Sequence, residues 1–197
     1  MNDESFYDVI ILGSGAGGSL LAGILARSGK SVVMIDRSEH PRFAIGESST
    51  PAADFILHSL ATKYNLPELL PLTCFGEWKK KYPKILCGCK RGFSYFWHGA
   101  KKQFSPGENH QRELFVTANS SREQADTQWF RPDVDHFLVD VAVKHSAKLF
   151  QNAKQLAIQH LDEHNWSVTF LQQAVSEKVQ GRFIIDATGA SGVLLDS

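Results

Sequence analysis

The residues best placed to do chemistry lie near the start of the chain, in the run Gly13-Ser14-Gly15-Ala16-Gly17-Gly18 and in Asp36, 18 residues further on. An apolar stretch, Asp8–Leu12, precedes the glycines, and a second one, Ser31–Ile35, ends at Asp36. This is the spacing of a strand, a tight turn, a helix and a second strand built around a dinucleotide. Gly13 permits the turn, Gly15 lets a pyrophosphate approach the backbone, and Gly18 lets helix and strand pack closely. The helix that starts at the turn offers free N–H groups and a partial positive charge to phosphate. A carboxylate at the tip of the second strand can accept hydrogen bonds from ribose hydroxyls. The motif alone does not choose between NAD and FAD.

These groups need a frame, and the rest of the chain supplies one. Residues 17–28 are small and apolar and suit a helix buried against a sheet, with Gly29 as its stop. Residues 38–50 read as a loop. Pro51 opens a helix to about Tyr64, and Pro67 and Pro71 break the stretch after it. Strand-like runs occupy 85–97. Pro132 opens another helix, with Val134, Phe137, Leu138, Val141 and Ala142 on one face and Asp133 and Asp135 favouring its dipole. Trp166–Phe170 alternates like an exposed strand. Phe183–Ala187 is a last apolar strand, leaving through Thr188-Gly189. The fold class is α/β, a Rossmann-like βαβ domain.

The 197 residues suffice for one domain or a large part of one, and 43% are apolar. Lys plus Arg equals Asp plus Glu at 21 each, so no global field draws nucleic acid or an anionic membrane. No apolar run reaches the ~20 residues of a membrane span. Three cysteines, an odd number, suggest free thiols in a reducing cytoplasm. Cys87-Gly88-Cys89 is half of a metal spacing, but Cys74 and His98 do not complete it, so no metal site is expected. Residues 79–102 hold eight basic side chains and no acidic one. Read by themselves, they form a solvated basic face.

A family becomes visible after the second strand. Pro41-Arg42-Phe43-Ala44-Ile45-Gly46-Glu47-Ser48, ending at Pro51, resembles the Pro-Arg-Phe-x-Ile-Gly-Glu-Ser loop of the flavin-dependent halogenases, the tryptophan-halogenase-like flavoproteins. Three further segments agree in order. Lys90-Arg91-Gly92-Phe93-Ser94-Tyr95-Phe96-Trp97 is similar to their lysine-led strand. Arg131 to Leu138 is similar to their Arg-x-x-x-Asp-x-x-Leu helix start, and Ile185-Asp186-Ala187-Thr188-Gly189 to their Asp-Ala-Ser/Thr-Gly turn.

The resemblance implies an FAD-binding domain of the flavin monooxygenase type. Residues 1–197 would form part of it, with about 65–130 inserted toward the substrate. The implied cofactor residues are Gly13, Gly15, Ala16, Gly18, Asp36, Arg37, Gly46, Glu47, Ser48, Arg131 and Gly189. Arg131 read by itself is equally a surface arginine near a helix start. Lys90 would be the catalytic lysine. Reduced flavin and oxygen would generate an electrophilic halogen species, and a fixed amine beside the substrate must capture it. The implied partners are a small aromatic substrate, halide and a separate flavin reductase.

The sequence also departs from the family. It has no Trp-x-Trp-x-Ile-Pro and no Gly-Asp pair, both of which belong to the C-terminal part of such enzymes. The chain is therefore expected to be incomplete at the C-terminus and inactive by itself: a truncated gene product, a fragment, or one half of a split enzyme whose C-terminal half is encoded separately. Apolar surface along Val9–Leu12 and Phe183–Ile185 would then remain partly uncovered. A flavin hydroxylase or reductase, a non-catalytic FAD-binding remnant, or one subunit of a split enzyme are the other readings.

Overall fold

A computed structural model describes residues 5–117 and 119–194. Its elements, in chain order, are β1 (Ser5–Leu12), α1 (Ala16–Arg27), β2 (Val32–Ile35), α2 (Pro51–Lys63), α3 (Phe75–Lys81), β3 (Cys87–Lys90), β4 (Gly92–Phe96), β5 (Glu113–Thr117), β6 (Asp126–Trp129), α4 (Arg131–Lys144), β7 (Lys148–Phe150), β8 (Lys154–Asp162), β9 (Asn165–Gln172) and β10 (Val175–Asp186). They divide into two compact units. One comprises residues 1–46, 60–68 and 131–197, the other 47–59 and 69–130.

The first unit is built on a six-stranded sheet of order β7-β2-β1-β10-β9-β8. The four strands β7, β2, β1 and β10 are parallel, while β10, β9 and β8 form an antiparallel extension. The apolar run Val9–Leu12 of β1 has a plain reason, because both its faces are covered. Val9 and Ile11 pack with Ala22 of α1 and Ala142 of α4. Ile10 and Leu12 face a second cluster made with Val33, Ile35, Ala153, Val168, Phe170 and Val179. Helices α1 and α4 approach closely at Gly23, where a Cβ would already meet the Ala142 backbone at 3.7 Å.

The second unit carries two small antiparallel pairs, β3 with β6 and β4 with β5. Trp78 of α3 is fully buried there, donates its indole N–H to the Ile85 carbonyl at 3.0 Å, and packs against Trp129. Pairing thus organises the stretch that has no long apolar run.

Several expectations require correction. Residues 166–170 are not an exposed strand. They belong to β9, flanked on both sides, and Phe170 is 1% exposed with its ring edge-to-face on Phe150. The Val9–Leu12 surface is not left open either, since all four residues are buried, whereas Phe183 is 65% exposed. Pro67 and Pro71 do not simply break the chain. They lie in a 3-10 helix, Pro67–Thr73, whose geometry tolerates a fixed φ and a missing N–H.

The final strand starts at Val175, well before Phe183, and pairs with β9 through a two-residue turn at Gln173 and Ala174. Both turn residues have positive φ. Hairpins of that kind usually announce themselves with Asn-Gly or Gly-Gly, and nothing here does.

Because Phe170 sits in the core, Phe170→Ala should destabilise the chain by about 3–5 kcal/mol. Urea unfolding would check this; a loss below about 0.5 kcal/mol is what an exposed position would give.

Candidate nucleotide site and the loop beside it

The carboxyl ends of β1, β2 and β10 converge on the glycine turn. Gly13 takes φ +97, donates its N–H to the Ile35 carbonyl at 2.8 Å, and lies so close to β10 that a Cβ would meet the Ala187 oxygen at 2.5 Å. Gly18 is as tightly placed, with the Gly13 oxygen 2.1 Å from where its Cβ would be. These two glycines pack the protein against itself. Gly15 is different. A Cβ there would meet nothing nearer than Arg42 Nη2 at 3.6 Å, and one on Gly17 would meet nothing within 4 Å. Helix α1 begins at Ala16 with no side-chain cap and no acid in its first turn. Its N-terminus therefore presents backbone donors to open space, which is the cradle a pyrophosphate requires.

A cavity of about 640 Å³ opens at the same strand ends, lined among others by Gly13, Asp36, Arg37, Arg42, Phe43 and Thr188. Binding at this edge of a parallel sheet accords with the strand order. Asp36 is buried at its rim. Its Oδ2 accepts from the Ser14 N–H at 2.7 Å, the Ser14 hydroxyl at 2.8 Å and Arg42 Nη2 at 3.1 Å; its Oδ1 accepts from the Ser38 N–H at 2.9 Å. Burial by itself would push this carboxyl up. The donors from Ser14 and Ser38, with the Arg42 charge, outweigh it and hold the group below the usual carboxylate range. A ribose hydroxyl would find Oδ1 the less occupied oxygen. His40 Nε2 lies 2.9 Å from the Ser14 hydroxyl, and burial, with the Arg42 charge second, lowers its proton affinity. Arg37 is exposed on the cavity wall, and Gly189 is exposed in the short turn after β10.

Arg131 opens α4 and is committed internally. Its Nε and Nη2 hold Asp135 at 2.7 and 2.9 Å, and Nη1 donates to the carbonyls of Ile45 at 2.6 Å and Gly46 at 3.2 Å. Asp135, expected to serve the helix dipole, is fully buried and fixes this fork in place. The arginine thus anchors the loop after β2 rather than lying free on the surface.

The second unit contains Lys90. The basic run divides sharply: Lys79, Lys80 and Lys81 are exposed on α3, while Lys90 ends β3 at 7% exposure. Its Nζ donates to the Ser48 hydroxyl at 2.6 Å and to the Ser49 carbonyl, and lies 4.0 Å from the Phe93 ring centroid. Glu47 and Ser48 are exposed, and the Glu47 carbonyl accepts from the Trp129 N–H at 2.6 Å. Cys87 and Cys89 lie on β3 as free thiols, and among the described residues no three His, Cys, Asp or Glu side chains gather as a metal site would need.

Sequence reasoning missed a carboxyl pair in this unit. Asp54 of α2 and Asp126 of β6 are 8% and 3% exposed and hydrogen-bonded to each other. Asn119 Nδ2 donates to Asp126 Oδ1 at 3.1 Å. Burial first, and then the Asp126 charge, push Asp54 up to about 7. The only signal was an acid inside an apolar helix start.

A parallel sheet with a glycine turn at its switch point and an open helix N-terminus defines a dinucleotide-binding oxidoreductase frame. Residues 6–44 match the FAD binding domain family. The chain is 33% identical to monodechloroaminopyrrolnitrin halogenase PrnC of Pseudomonas fluorescens over 95% of its own length and 32% of that protein's. It is 28% identical to tetracycline 7-halogenase of Kitasatospora aureofaciens, covering 93% of itself and 31% of the relative. The crystal structure of halogenase PltM in complex with phloroglucinol and FAD superposes with a TM-score of 0.79 at 33% identity, over 96% of this chain and 36% of that one. The chain is thus similar over nearly its whole length to the N-terminal, FAD-binding part of flavin-dependent halogenases, and its cofactor is FAD. It spans about a third of the length of the curated relatives it matches. Among the described residues no helix is long and apolar enough to cross a membrane.

Substitutions at two of the glycines separate binding from folding. Gly15→Val should weaken FAD binding by at least about a hundredfold, or about 3 kcal/mol, because the branched side chain fills the cradle. Its cost to folding should stay near 1 kcal/mol, whereas Gly18→Val, which must displace the Gly13 carbonyl, should cost clearly more; flavin fluorescence titration and urea unfolding distinguish the two. A second expectation concerns pH. Asp54 has a higher proton affinity folded than unfolded, so its contribution falls as pH rises from about 4 to about 7. Asp54→Asn should remove that slope and make the chain more stable than wild type at pH 8, as read by thermal unfolding across pH.

Proposed function

We propose that this chain is the flavin-side portion of an FAD-dependent halogenase, with Lys90 as the amine that receives electrophilic halogen and presents it to a small aromatic substrate. The observation that carries the reading is the burial of Lys90 with its Nζ on Ser48, the last residue of the Gly46-Glu47-Ser48 loop.

FAD, when bound and reduced, supplies the oxygen-activating chemistry. The chain's own residues do the rest. The N–H groups at the start of α1 and the space over Gly15 take the pyrophosphate. Asp36 and Arg37 serve the adenosine half, Gly189 the far side of the cradle, and Arg131 holds the loop still. Lys90 is fixed by two acceptors, leaving one N–H to hydrogen-bond the oxygen of a hypohalous acid. An immobilised donor restricts where halogen is delivered, which a freely diffusing oxidant cannot do. Residues 65–130 contribute the substrate side. We assign the protein to the cytoplasm, in keeping with its free thiols, and assign it halide and a separate flavin reductase as partners.

Supplied with reduced FAD, oxygen, bromide or chloride and an electron-rich arene, the reconstituted protein should form halogenated product. Lys90→Ala should lower product formation by about 100-fold or more while flavin reoxidation continues at the wild-type rate. Hydroxylated product without halide dependence would support a hydroxylase instead. FAD binding with no turnover under any combination of partners would support a non-catalytic subunit, and equal loss of both activities in the variant would make Lys90 a structural residue.

A further inference from the structure

The mechanism leaves one buried titratable cluster unused, the pair Asp54 and Asp126 in the same unit as Lys90. Asp126 is the residue directly opposite Lys90 across the β3–β6 ladder. Asp54 hydrogen-bonds both Asp126 and the Ser49 side chain and interacts coulombically with Lys90. Ser49 therefore touches both partners, since its carbonyl accepts from Lys90 Nζ and its hydroxyl meets Asp54. The Thr127 N–H holds the same hydroxyl at 3.1 Å, and Asn119 holds Asp126.

Two carboxylates this close and this dry do not both ionise until the pH passes about 7, where Asp54 loses its proton. Below that pH one proton stays, and the pair carries a single negative charge. Lys90 brings a single positive charge into the same interior, where an unmatched charge of either sign is costly. We propose that Asp54 and Asp126 act as one singly charged unit that sets the charge state of Lys90 and, through Ser49, holds its amine against the loop; both are positioning residues for Lys90. The functional meaning rests on the reading of Lys90 as the halogen-receiving amine, but the charge coupling does not.

The coupling makes an unusual pattern of outcomes. In Asp54→Asn, Asp126 retains the negative charge. In Asp126→Asn, Asp54 loses its like-charged neighbour and ionises in its place. Neither single variant should change the charge facing Lys90, and only Asp54→Asn/Asp126→Asn removes it. The free amine is the form that reacts with an electrophilic label. At a fixed pH below the Asp54 midpoint of about 7, reductive methylation of Lys90 in the full chain, normalised to the exposed Lys79–Lys81, should differ from wild type by less than about twofold in each single variant. It should rise about tenfold, one pH unit's worth, in the double variant.

Wild-type protein gives an independent reading. A carboxyl carbon NMR titration should show Asp54 keeping its proton well above the ordinary carboxylate range, and Asp126→Asn should bring that midpoint down. Asp54 titrating as an ordinary carboxylate in wild type would overturn the proposal, and this needs no variant to fold. Lys90 labelling that is unchanged in a double variant with wild-type unfolding behaviour would overturn it as well. Neither measurement requires turnover, so a failure here stays distinct from a failure of the Lys90→Ala halogenation test.

Discussion

Three strands end at one glycine. Gly13 bonds the end of β2 through Ile35 and lies against Ala187 at the end of β10, while Ala187 in turn donates to Leu12 of β1 at 2.8 Å. The arrangement has room for backbone only. It sets the distance between the strand ends, and so the mouth of the cavity. It also aims the start of α1 at that mouth, because Gly18 must slide under the Gly13 carbonyl before the helix can pack. Asp36 is drawn into the same knot by the Ser14 N–H and hydroxyl. The site is thus largely made of main chain held at fixed spacing, which suits a ligand whose recognition depends on phosphate geometry and not on shape alone.

Charge is handled locally in this protein, in keeping with its zero net balance. The buried Asp135 is matched by a two-pronged arginine, and the same guanidinium has a remaining donor for the loop carbonyls. Such a planar fork does what a lysine could not, since it satisfies a carboxylate and two carbonyls from one rigid group. In the second unit the opposite solution is used. Among the described residues no carboxylate grips Lys90 directly in the way Asp135 grips Arg131; hydroxyl, carbonyl and ring surround it instead. A lysine so placed keeps donors available, whereas a tightly paired one would spend them.

The chain matches its relatives across roughly a third of their length. The shared portion includes the whole nucleotide frame, because the strand that completes it, β10, lies near the end of the matched region. The loop of residues 41–50 and the lysine strand fall between the two halves of that frame in sequence, which is why a family signature could accompany the common glycine motif at all.

The βαβ unit, its glycines, Asp36, α2 and α4 were all legible in the sequence, because each rests on contacts between near neighbours: helical or strand periodicity, a proline at a helix start, a glycine where φ must be positive. Lys90 was legible only by resemblance, since eight basic residues in one stretch look alike until strand pairing buries one of them. The β8–β9–β10 extension was not legible, as its turn at Gln173 and Ala174 lacks turn residues and its register is set by neighbouring strands. Nor were the Arg131 fork on Ile45 and Gly46 or the meeting of Asp54 with Asp126, which join residues far apart in the chain. Sequence determines what a segment can do by its own periodicity and side-chain types. Burial, and with it the proton affinity of Asp54 and the isolation of Lys90 from its basic neighbours, is decided by which distant segments exclude water from it, and that exists only once the chain has folded.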